Sequence, residues 1–217
     1  MLPQKHACHS VPIFYDQGNT GGHGALPPSL GRHRNAWPSE GEYTYAPPQR
    51  WLHSLEHGAA VFLYDPCLAE EDLCKIRAVI SKWKARLGDG DPFRFVLTPY
   101  KHLMRPLAIV FWGRVYMSSC FAEEDIDEFI EANYRMAWED IPPTVLRGAY
   151  THLMVDFEAK LAQCPSSGFS STLVTARALG PATPGIVGVL VVAALMVALA
   201  KRGRLFRPSH DPSIVLS

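Results

Sequence analysis

The sequence predicts an α+β domain, a small mixed sheet with two amphipathic helices, followed by one C-terminal transmembrane helix. Three observations predict it. Short apolar runs bounded by Asp-Pro or Gly read as buried strands. Two segments repeat apolar residues at helical spacing. Near the C-terminus, residues 185–200 (GIVGVLVVAALMVALA) carry no charge at all.

Taken in order, residues 1–50 hold Gly and Pro clusters that punctuate regular elements, so this segment is expected to wrap over the sheet. The α+β core is expected over residues 51–165. Residues 59–64 (AAVFLY), closed by Asp65-Pro66, have the signature of a buried strand. Over residues 69–87, Leu73, Ile76, Val79, Ile80 and Trp83 recur at helical spacing. Glu70, Glu71 and Asp72 at one end and Lys82, Lys84 and Arg86 at the other complement the helix dipole, and Gly88 supplies the stop. Residues 93–97 and 107–112 read as two further strands around a turn. A second helix is expected over residues 123–136, with Ile126, Phe129, Ile130 and Tyr134 on one face. The order strand–helix–strand–strand–helix also occurs in the C-terminal half of thioredoxin-like folds.

A Ser/Thr-rich linker (residues 166–178) leads to the transmembrane segment, residues 179–200. Those 22 uncharged residues span about 33 Å as a helix, enough for a hydrocarbon core of about 30 Å. Lys201, Arg202, Arg204 and Arg207 follow at once and assign the tail, residues 201–217, to the cytoplasmic side. The expectation is a single-pass, type I protein of the plasma membrane or an endomembrane, with the lipid bilayer as one partner and an unidentified protein as another. Ala194 and Ala198 form a small-xxx-small pair that suits a homodimer through this helix. The net charge of zero, 21 basic against 21 acidic side chains, is a sum of unlike parts. Residues 185–217 carry +3 and the rest −3, which excludes a polycation gripping nucleic acid. Residues 1–10 lack the apolar core of a signal peptide. Either a leader is encoded upstream, or the helix inserts late as a tail anchor and leaves the domain in the cytosol.

The densest polar constellation is Trp51-Leu52-His53-Ser54-Leu55-Glu56-His57-Gly58. His53, Glu56 and His57 fit H-x-x-E-H, the inverted zincin spacing, in which two imidazoles on one helical face hold Zn²⁺ and Glu56 is the general base. The context opposes a protease. Pro47-Pro48 before and Gly58 after leave room for only one or two helical turns. The alternative is a non-catalytic metal site in which His33 joins His53 and His57 from loop and strand edge. Imidazole suits Zn, Cu and Ni alike, so a divalent transition metal such as Zn is the implied cofactor. The competing reading has these histidines capping turns while Trp37 and Trp51 pack on the sheet. No catalytic residue is assigned beyond the alternative role of Glu56.

Cys67 and Cys74 stand too far apart for a C-x-x-C redox motif. Cys8 and Cys164 flank the domain and would suit a disulfide in a luminal compartment, with Cys120 an odd thiol.

Residues 27–67 resemble the domain of unknown function 3105 family. His33, Trp37, Gly41, Tyr43, His53, Leu55, Glu56, His57, Gly58 and Tyr64 stand at the places of its pattern, and residues 106–113 (PLAIVFWG) look like its second signature. The likeness covers about residues 10–165, with Leu30-Gly31 where the family has Ser-Gly. It implies a single-pass membrane protein and no reaction, and an animal relative in the family would imply a link to growth control. The combined expectation is a membrane-tethered, non-enzymatic binding or signalling-associated ectodomain. Its rival is a metal-binding protein or metal-dependent hydrolase built on His33, His53, His57 and Glu56.

Overall fold

Strand β2 (Ala60–Tyr64) lies at the middle of the sheet because its side chains are apolar on both faces. A computed structural model describes residues 13–15, 26–141, 148–165 and 214–216. Within it β2 runs parallel to β3 (Phe95–Pro99), with Phe62 opposite Leu97, and antiparallel to β4 (Leu107–Phe111), with Phe62 opposite Ile109. A two-residue turn, Trp112-Gly113, joins β4 to β5 (Arg114–Ser118), and Gly113 takes φ 72° there. β1 (Gly41–Tyr43) pairs parallel with β3 and antiparallel with the short β6 (Met154–Val155). β7 (Ile214–Leu216) lies antiparallel to the outer edge of β5. The order across this mixed sheet is β6-β1-β3-β2-β4-β5-β7.

Alternation along each central strand feeds two cores. Phe62, Leu97, Ile109 and Phe111 face helix α2 (Glu70–Leu87), through Ile76, Ile80 and Trp83, and α3 (Glu123–Asn133), through Ile126, Phe129 and Ile130. Val61, Leu63, Val96 and Val110 face the other way, toward Trp51, Leu52 and Leu55 of α1 (Pro48–Glu56). Each such side chain, fully buried, contributes about 1.5–3 kcal/mol. The two expected helices and three expected strands are all present, with α3 ending at Asn133 rather than residue 136.

Three expectations change. Part of the segment expected only to wrap the sheet belongs to regular elements: Gly41–Tyr43 enters the sheet as β1, and α1 starts at Pro48, a residue suited to the first helical turn. The core also contains β5, β6 and α4 (Phe157–Ala162), whose Phe157 packs against Phe95 with ring centroids 5.0 Å apart. That packing brings the end of α4 against α2, so Cys164 is bonded to Cys74 and not to Cys8, which lies outside the described residues. Among the described residues Cys67 and Cys120 are free and exposed.

The described residues all belong to one compact unit. The linker and the stretch 179–200 lie outside the described residues, among which no helix is long and apolar enough to cross a membrane.

Candidate functional site

Helix α1 makes the site because its spacing puts His53 and Glu56 on one side and ends at Glu56, leaving His57 to cap it. The loop before it is laid alongside: Arg34 N–H donates to Gln49 O at 2.7 Å, and Arg50 Nη1 to Ala36 O at 2.9 Å. His33 is thereby brought in fully buried, with His53 and Glu56 at 2% and 3% exposure. The rings run in a row, His33 to His53 at 4.7 Å and His53 to His57 at 4.7 Å between centroids, with Trp37 against both His53 and His57.

Each imidazole is oriented in the same way. Nδ1 of His33 lies 3.0 Å from Gly31 O, that of His53 2.8 Å from Arg34 O, and that of His57 2.9 Å from Glu139 O. A carbonyl oxygen only accepts, so Nδ1 carries the proton in each ring. In the neutral ring Nε2 then holds the lone pair, the usual arrangement of a metal-ligating histidine. His33 Nε2 sits 3.0 Å from Glu56 Oε2. A lone pair facing a buried carboxylate is repulsive unless a positive charge lies between or on them: a proton, which makes imidazolium, or a metal ion. Burial by itself would raise the Glu56 pKa, but the hydrogen bond and charge of His33, with the charges of His53 and His57, outweigh it and hold this carboxyl below its ordinary range.

His33, His53 and Glu56 each place one donor atom within 4.8 Å of the others. The expected three-histidine set is therefore not one cluster. Glu56 takes the third place, and His57 belongs to a second set with Glu56 and Glu139. His33 comes from a loop as expected, but His53 and His57 come from α1 and its cap rather than a strand edge. Glu139 was not foreseen from sequence; it stands 82 residues from His57, and no local spacing links them.

An arginine clamp fixes the segment that carries Glu139. The buried Arg94 donates through Nη1 to Ile141 O at 2.7 Å and to His57 O, and through Nη2 to Asp140. Arg135 Nε donates to Asp140 Oδ2 at 2.9 Å. Gly58 sits against this clamp with φ 81°, where a Cβ would lie 2.8 Å from Asp140 Oδ1 and 3.0 Å from Arg135 Cα. Gly58→Ala should therefore cost about 1–3 kcal/mol in urea unfolding; an unchanged midpoint would show that the turn is not under this constraint.

The space at the site is small. A cavity of about 20 Å³ lies beside it, lined by Trp37, Ser54, His57 and Arg94 among others, room for about one water. A cavity of about 500 Å³ lies elsewhere, lined by Tyr15, Tyr45, Pro48, Tyr100 and His102 among others, with none of the five donors on its wall.

Residues 17–144 match the family described as protein of unknown function (DUF3105). The chain belongs to this family. No curated protein and no solved structure matches it. The DUF3105 span takes in all five donors, His33, His53, Glu56, His57 and Glu139, together with the clamp residues Arg94, Arg135 and Asp140. β6, α4 and Cys164 lie beyond it, so one half of the disulfide is outside the DUF3105 match.

Proposed function

We propose that this DUF3105 domain binds a divalent transition metal through His33, His53 and Glu56, as a metal-holding rather than a hydrolytic site. The observation that carries the reading is the common tether of the imidazoles, each with Nδ1 on a backbone carbonyl, around a buried carboxylate. Nitrogen and oxygen donors of this kind suit Zn²⁺, Cu²⁺ or Ni²⁺. Two features weigh against hydrolysis: Glu56 is itself a donor instead of a base poised on water, and the adjoining cavity is too small for a substrate. The test is metal analysis of the purified protein before and after dialysis against Zn²⁺. Bound metal near or above one equivalent, lost in His33→Asn and His53→Asn variants that retain the native circular dichroism, is expected. A wild type that takes up no metal refutes the proposal.

A second reading is favoured by the uncharged stretch 179–200 and the four cations behind it. Here the domain is tethered to a membrane and binds an unidentified protein partner. The Cys74–Cys164 disulfide supports an oxidising, non-cytosolic side for the domain. Growth suppression is an expectation drawn from the family resemblance alone, and no match to a curated protein supports it. With the tail across the bilayer β7 could not pair with β5, so this reading requires β7 to leave the edge of the sheet. Protease treatment of sealed vesicles should leave the domain and a C-terminal tag on opposite sides; finding both on one side removes this reading. We further propose a thioredoxin-like parentage for the order β3-β2-β4-β5, without its redox chemistry, since no C-x-x-C is present and Cys74 is bonded elsewhere.

A further inference from the structure

Glu56 belongs to two donor sets at once. On one side are His33 and His53; on the other are His57 and Glu139, and in each set the donor atoms lie within 4.8 Å of one another. A carboxylate has two oxygens, so one that belongs to two ligand sets has the capacity to bridge two ions, which in two-metal centres stand about 3.5–4 Å apart. We propose that the site holds two divalent cations bridged by Glu56, the first completed by His33 and His53 and the second by His57 and Glu139. This rests on the metal-binding reading above and deepens it.

Three further observations support the second position. His57 is oriented as the other two histidines are, through Nδ1 on a carbonyl, and that carbonyl belongs to Glu139 itself. One residue thus aims the imidazole with its backbone and offers a ligand with its side chain. The Arg94 clamp holds the adjoining backbone from both sides, at His57 O and at Ile141 O. The charge is also compatible: Arg94, a cation close to His57, is paired with Asp140, and Asp140 is in turn held by Arg135.

The two positions differ in access. His33, His53 and Glu56 are all buried, whereas Glu139 is exposed. The first ion is therefore sealed in and slow to exchange, and the second is open to solvent and exchanges readily. An ion pair with one sealed and one open member suits a centre in which the inner metal organises the fold and the outer one meets a small oxygen-donor ligand, such as water or a carboxylate.

The experiment is equilibrium dialysis of the full chain against Zn²⁺, with metal counted by atomic emission. Two equivalents are expected, one of them removed by a brief chelator wash. Glu139→Gln, a substitution at an exposed side chain, should leave one equivalent that resists the wash, and Glu56→Gln should lower both. One equivalent in the wild type, unchanged by Glu139→Gln, overturns the two-metal centre and leaves the single site standing. Two equivalents unaffected by Glu139→Gln also overturn it, because the second ion then lies elsewhere. No metal in the wild type overturns the metal-binding reading itself.

Discussion

Glu42→Ala is expected to lower the unfolding free energy by about 3–5 kcal/mol, because it strands a buried charge. Arg77 projects from α2 into the end of the sheet, where it is 2% exposed. Its Nε and Nη2 donate to the two carboxylate oxygens of Glu42 on β1 at 2.9 and 2.8 Å, a bidentate pair. Burial alone would lower the Arg77 pKa, yet the bonds to Glu42 and Glu70 hold it above the ordinary arginine range. Arginine is not deprotonated in proteins even without such partners, so the guanidinium stays charged when Glu42 is removed. Glu70 remains on Nη1 at 2.5 Å, but it is largely exposed and solvent screens what it returns. Urea unfolding of Glu42→Ala measures the loss. The double variant Glu42→Leu, Arg77→Met should recover most of it, since removing both charges leaves nothing to desolvate. A loss under about 1 kcal/mol would mean that the pair behaves as a surface pair.

Cys74→Ser is the second large change, with an expected loss of about 2–4 kcal/mol. The bond closes a loop of 90 residues in sequence separation that contains β3, β4, β5 and α3. Arg77 Nη1 lies 3.8 Å from both sulfurs, so the disulfide and the buried ion pair share one neighbourhood, and their losses should not simply add. Adding reductant to the wild type in a denaturant series should bring its midpoint down to that of Cys74→Ser, while the variant stays where it is. A wild-type midpoint that ignores reductant under fully unfolding conditions would show that the two sulfurs are not joined.

Much of the fold was legible where local pattern and tertiary role coincide. AVFLY and LAIVF are apolar throughout because both faces are covered, and α2 and α3 show their inner faces at helical spacing with acids at the start. β1 was not legible. Three residues, GEY, set among Gly and Pro carry no period, and their conformation is fixed by β3 and β6 on either side. α4 is six residues long, below what propensity alone can hold, and forms because Phe157 reaches the core. The same division runs through the site. His53, Glu56 and His57 were legible as one helical turn, and His33 as a histidine within reach of them. Glu139 and the pairing of Cys74 with Cys164 depend on chain segments folded back over more than 80 residues, and no spacing announces them.

The disulfide also decides how the domain would bear a load. The unit's main segment ends at Pro165, the residue after Cys164. Tension on the polypeptide that follows would reach Cys164 first and pass through the sulfurs into α2, in the middle of the core. The short α4 and the two-residue β6 lie before that crossing and would be shielded, so they need not resist peeling. Reduction would reroute the same pull through α4 and β6, turning a firm attachment into one that unzips from its end.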